Sequence, residues 1–314
     1  MTVLNSSASS GTAPRRRKLR RWLSLAAATL ALLAFATWCL TEPLVNRPVP
    51  SPDAERVGTP GTAEVAKVLE VSTIWPEGRM EGDQAKTLLL ASALRSVDEL
   101  GRVKTYTATL QKHERIGGTL GPVQTLAMKV RNQPFAIYLK FLAPKEGKEV
   151  VYAEGHHENK LVAHNGDWTR RLIPRLAVPL DSPLALADSR HPVTEAGLLA
   201  LAKKLVVYRQ MDIGDPDATT IIDRTTTPDG RPALRSVHTH TNPLANRPFI
   251  RVEILYDPAT QYPIRIDSFD WPGPGHVGGL DLAESFYYTD IKPNTPLTDL
   301  DFDPKNPAYA FMRF

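Results

Sequence analysis

An α+β fold, a twisted antiparallel sheet with two main helices behind one N-terminal membrane helix, is predicted by three observations. Apolar residues change their period from about 3.6 to 2 after Leu100 and keep it through about ten short segments parted by Gly and Pro turns. Two stretches carry a helical period, and they do not alternate with strands as βαβ units would. One run, Trp22 to Leu40, holds nineteen residues without a charge or a proline.

That run would span roughly 28 Å as a helix, enough to cross a bilayer. Arg15, Arg16, Arg17, Lys18, Arg20 and Arg21 precede it, and Trp22 and Trp38 stand at its ends. Cations stay on the cytoplasmic side and tryptophans favour the interface, so the segment is oriented with its N-terminus inside. Residues 1–21 then form a cytoplasmic basic tail, 22–40 the inner-membrane anchor, 41–82 a Pro-rich linker and 83–314 the exported, periplasmic domain. Ala34-Phe35-Ala36 also fits a signal-peptidase site, so secretion after cleavage is the alternative. The single cysteine, Cys39, follows the bulky Trp38, which argues against lipid modification there and leaves the exported domain without thiols.

Along the domain, Leu90, Leu94 and Val97 recur on one face of a helix over Gln84 to Leu100. Tyr106, Ala108 and Leu110 then alternate with threonines, and Leu126, Met128 and Val130 repeat the pattern beyond the Gly117-Gly118 turn. Strands follow over Phe135 to Leu142, Glu149 to Glu154 and Lys160 to His164. Pro174 to Gln210 breaks the pattern, with a short helical stretch near Leu184 and a helix from Glu195 to Arg209 that Thr194 is placed to cap. Five strands close the chain: Thr219 to Thr225, Leu234 to Thr241, Phe249 to Tyr256, Tyr262 to Phe269 and Ala283 to Asp290.

The formal charge of +4 comes from the N-terminal cluster. Setting those six residues aside leaves 32 basic against 34 acidic residues, which gives the domain no field for phosphate backbones and excludes nucleic acid as its partner. His156, His157 and His164, with His238 and His240, lack the spacing of a zinc site and read as exposed strand and turn residues. No metal or cofactor is expected. The literal GxGxxG at Gly273 to Gly278 follows Trp271-Pro272 rather than a parallel strand and reads as a loop. No GxSxG elbow is present, and Ser189 beside Arg190 and His191 reads as a helix entry, so no catalytic residue is assigned. Arg131, Arg190 and His191 sit at element ends near prolines. They could pin a lid through backbone carbonyls, meet an acidic head group, or form structural salt bridges with Glu149 or Glu195. Tyr138 and Tyr152 could stand at a cavity mouth or pack half-buried.

The runs YTATLQKHERIGG, KVRNQPFAIYLKFLAPKEGKEVVYAEG, SRHPVTEAGL and ILYDPATQYPIRI resemble the bacterial family of domain of unknown function 1571, over Thr105 to Phe314. Strand order and the Asp257-Pro258 hairpin are similar, more distantly, to the LolA/LolB lipoprotein carriers. The second resemblance implies an open half-barrel wrapped around helices that lid a hydrophobic cavity. It implies a lipid, acyl chain or lipoprotein as partner and no chemistry. Tyr106, Leu110, Leu126, Met128, Val130, Ile137, Leu139 and Tyr152 are then the candidate lining, and Arg131, Arg190 and His191 the lid or head-group candidates. A core packed solid with the protein's own side chains, serving as an interaction module of the envelope, is the alternative. The sequence leaves oligomeric state open.

Overall fold

Period-two patterning with one apolar face forces the strands to share a covered side, and the fold follows from how that side is covered. The structure, a computed structural model, describes residues 74–166, 175–243, 247–273 and 278–312. The basic tail, the membrane segment, most of the linker, Pro174, residues 244–246 and the centre of the 273–278 loop lie outside the described residues. Among the described residues no helix is long and apolar enough to cross a membrane.

Order begins ahead of Asp83. Trp75 is buried, its ring centroid 5.1 Å from that of Tyr256, and β1 (Met80–Glu81) pairs with a later strand. Gly82, at φ +76°, turns the chain into α1 (Asp83–Arg102), where a side chain would be strained. A first meander follows: β2 (Thr105–Ile116), β3 (Thr119–Leu120), β4 (Gln124–Arg131), β5 (Ala136–Ala143), β6 (Glu149–Ala153), β7 (Leu161–His164) and β8 (Leu176–Val178). After an irregular strap, residues 179–197, come α2 (Leu198–Asp212) and a second meander. Its strands are β9 (Ala218–Thr226), β10 (Pro232–His240), β11 (Phe249–Tyr256), β12 (Pro263–Asp270) and β13 (Leu282–Pro293). β13 pairs antiparallel with β2, fusing the meanders into one sheet ordered β1-β9-β10-β11-β12-β13-β2-β4-β5-β6-β7-β8, with β3 beside β2.

The sheet is open and strongly curved. Its ends, β1 and β8, do not meet along this order. Laid flat, twelve strands would be roughly 50 Å wide. Yet Ile222 of β9 and Val178 of β8, from its two flanks, join one apolar cluster with Leu88, Leu89 and Leu100 of α1 and Leu201 and Leu205 of α2. Both flanks must therefore curl around the helices. Register shifts between β4 and β5, β11 and β12, β12 and β13, and β13 and β2 supply the bends. On the outer face Phe302, Tyr309 and Phe311 of the C-terminal segment cover Ala136, Tyr138, Val151, Ala153 and Val162.

Three local expectations are corrected. No helix forms near Leu184; that stretch is a series of turns in which Leu184 is exposed. The second helix starts at Leu198, because Val193–Glu195 makes a 3-10 turn and Gly197, at φ +104°, redirects the chain. Thr194 accordingly does not cap it. The middle segment also holds a strand, β8, which its prolines had hidden.

Candidate functional site

The concave face gathers the candidate lining. Tyr106, Leu110, Leu126, Met128, Val130, Ile137 and Tyr152 are all buried in the cluster shared with both helices, and Leu139 packs against it partly buried. Alternation along β5 sends Ile137 inward and Tyr138 outward. Tyr138 is therefore not at a cavity mouth: it stacks on Tyr309 at 4.0 Å on the convex face. Tyr106, 1% exposed, does more than pack, since its hydroxyl accepts the Leu198 N–H at 2.9 Å. It thus serves as the cap that Gly197, the residue at the α2 N-terminus, has no side chain to supply. Burial pushes its phenol pKa upward, so the group stays protonated.

The strap is held by charge. Arg190 donates from Nη1 to the Arg115 carbonyl at 3.0 Å and from its backbone N–H to Glu114 at 2.9 Å, and its Nε lies 3.4 Å from Glu284. His191 Nε2 lies 2.6 Å from buried Glu284, and its Nδ1 3.4 Å from Glu195. Burial alone would lower the imidazole pKa; the charge of Glu284 and hydrogen bonds to Glu195 and Glu284 outweigh it and raise it to about 9. Asp188 pairs with Lys145 and Lys148, and its carbonyl accepts from Lys112, which also reaches Glu114 at 2.7 Å. Burial opposes the Asp188 charge, but Lys148 and Lys145 prevail and hold its pKa at about 2. Ser189 Oγ, 3.5 Å from Glu114, belongs to this clamp.

Arg131 is not part of it. Arg131 sits opposite Thr105 and Arg190 reaches Arg115, positions about 33 Å apart along β2. Arg131 pairs with Asp299 and lies 5.2 Å over the Phe302 ring, fixing the C-terminal segment. Neither arginine takes Glu149 or Glu195 as its salt-bridge partner. Glu149 instead meets His164 at 3.0 Å and accepts the Ala310 N–H at 2.8 Å.

Sequence reasoning missed a polar knot at the end of α2. His238 and His240 alternate correctly onto one face of β10, but that face is covered: His238, His240 and His164 are buried, not exposed. His240 Nε2 lies 3.1 Å from Asp212, and His238 bridges Ser236 at 2.9 Å and Thr220 at 3.2 Å. Burial, with Arg209 and His240 nearby, pushes His238 well below the usual imidazole range, so it is neutral. Arg209 stands 3.4 Å from Asp212, and Arg247 pairs with Asp215. The presence of Arg209 and Asp212 on α2 one turn apart was the available signal. Among the described residues, no group of three or more His, Cys, Asp or Glu is set to hold a metal ion.

An open antiparallel sheet curled around two helices, with its middle crossover clamped over one end by ion pairs, defines an α+β half-barrel. The chain belongs to the family described as Protein of unknown function (DUF1571), whose model matches residues 103–311. Its fold is similar to a DUF1329 family protein from Desulfovibrio piger, at 11% identity and TM-score 0.35 over 71% of this chain and 98% of that one. It is also similar to the lipoprotein LppX of Mycobacterium tuberculosis, at 14% and 0.32 over 71% and 100%. A LolA superfamily protein from Nitrosomonas europaea is similar at 11% and 0.28 over 68% and 96%. No curated protein matches the chain.

Proposed function

We propose that the chain is an envelope carrier: a periplasmic half-barrel, tethered to the bacterial inner membrane by residues 22–40, that holds a lipid or the acyl chain of a lipoprotein without catalysis. The observation that carries this reading is the composition of the cover. An apolar concave face is roofed in part by a strap held through Arg190, His191 and Asp188. The Asp188 pairs with Lys145 and Lys148 are part-exposed and break at little net cost, whereas those of Arg190 and His191 with buried Glu284 cost more, so the strap opens from its Asp188 end. An acyl chain of about sixteen carbons gains on the order of 12 kcal/mol on leaving water, ample to displace it. The test is native mass spectrometry of the purified protein for co-purified lipid, with uptake of a fluorescent fatty acid. Bound lipid and uptake above a control protein are expected; the absence of both overturns the carrier reading. A phosphatase fused after Pro60 is expected to be active, and an inactive fusion overturns the topology, whether the segment is kept or cleaved.

A second reading, an interaction module with a solid core, is favoured by the near-complete burial of Leu126, Met128, Val130 and Ile137 against the helices. It predicts the same fold with no lipid.

A further inference from the structure

Buried donors without acceptors gather where α2 ends. Arg209 and Arg247 are 3% and 4% exposed, and among the described residues Nε and Nη1 of each have no hydrogen-bond partner. Nε1 of buried Trp75 has none either. One acceptor beside them, Asp212 Oδ2, is likewise unbonded, although it lies 3.4 Å from Arg209 Nη2 and 3.7 Å from His238 Nδ1. Five desolvated donors therefore stand against one acceptor, in a fold whose buried polar groups elsewhere largely find partners. Tyr256 and Asp212 join the donors into one locale: the Tyr256 ring is 5.1 Å from Trp75, its hydroxyl is 3.3 Å from Ser236 Oγ and near enough to Arg209 for their charges to influence each other, and Asp212 Oδ1 lies 3.9 Å from Arg247 Nη2.

The missing partner has a definable chemistry. Arg209 pairs with Asp212, Arg247 with Asp215 and Lys86 with Asp83 at 3.2 Å, so the charges nearly cancel and a guest needs no large charge of its own. What it needs is acceptor oxygens. Water brings a donor with every acceptor and so relocates the imbalance, whereas a carboxylate or ester carbonyl brings acceptors alone. Trp75, Tyr256 and Leu205 also belong to the apolar cluster that holds Leu126 and Met128, so a carbonyl bound here would have its hydrocarbon tail on the concave face. The geometry points to a head-group station in which Arg209, Arg247 and Trp75 bind the carbonyl oxygens of an acyl chain, as a free carboxylate or an ester. This rests on the carrier reading and adds to it the end at which the polar head docks.

The test compares, on the full-length protein in detergent, the affinities of a sixteen-carbon fatty acid, its methyl ester and the matching alcohol, which lacks the carbonyl. Acid and ester are expected to bind about tenfold or more tighter than the alcohol. The advantage should shrink to near unity in Arg209→Lys, which keeps the charge but loses the fork, and should fall in part in Trp75→Phe. Preference for the acid over both others marks a carboxylate; equal acid and ester marks an ester carbonyl. Equal binding of alcohol and acid by the wild type overturns the head-group station and leaves the carrier reading standing. Binding of none of the three overturns both. Should Arg209→Lys not fold, the wild-type series and Trp75→Phe still decide: an acid or ester advantage that Trp75→Phe leaves untouched counts against the station.

Discussion

Tyr106 shows how one side chain can fix both a core and a helix. Its ring fills the centre of the concave face while its hydroxyl accepts the first N–H of α2. Tyr106→Phe keeps the ring and is expected to cost about 1 kcal/mol in urea unfolding. An unchanged midpoint would mean that the cap contributes nothing. Leu126→Ala, at a site 1% exposed, is expected to cost about 2–5 kcal/mol through lost burial and the space left behind. His191 gives the pH dependence. Its folded pKa is raised to about 9 from an ordinary 6.5. Its contribution is therefore complete below pH 6.5 and is lost as pH rises through 9. The urea midpoint of the wild type should fall across that window, and that of His191→Gln should not; parallel profiles would contradict the assignment. The sequence made Arg190 and His191 conspicuous by their place near Pro192, but their partners were not legible there. Glu114 and Glu284 come from strands β2 and β13, far off in the chain, and only the closure of the two meanders brings them together.

At the scale of elements, the strands were readable wherever one face was wet. β2 and β4 alternate cleanly, and their register, Tyr106 opposite Val130 and Leu110 opposite Leu126, follows from keeping both apolar sets on one side. The crossover was not readable, because its structure is held from outside. Gly197 at φ +104° and a tyrosine from another strand start α2, where local capping chemistry had pointed to Thr194. A Cβ at position 197 would sit 2.7 Å from the Tyr106 hydroxyl, so Gly197→Ala should destabilise by both strain and displacement of the cap. The strap carries its own prediction. Asp188→Ala removes the partner of Lys145 and Lys148, and hydrogen exchange at Leu186 and Ser189 should accelerate at least several-fold while α1 keeps its protection. Equal protection in the two proteins would show that the clamp does not hold the strap.

For the whole molecule, the class of fold followed from the change of period, the paucity of helices and the turn spacing. The curvature, which the structure bears out, was implied by the resemblance to the carriers and not by the strand patterns, since bending depends on register shifts that no single strand records. The buried histidines were misjudged for a related reason. Alternation sets a face but not what covers it, and β10 has α2 lying over the side that carries His238 and His240. In the proposed carrier, the concave face receives an acyl chain beneath the strap. Photocrosslinking of the intact protein with a diazirine-bearing fatty acid, mapped by mass spectrometry, tests it directly. Adducts are expected on inward residues of β2, β4, β5 and β6, Tyr106, Met128 and Tyr152 among them, outcompeted by unlabelled fatty acid. Adducts confined to the outer face, or none above a control protein, would contradict it.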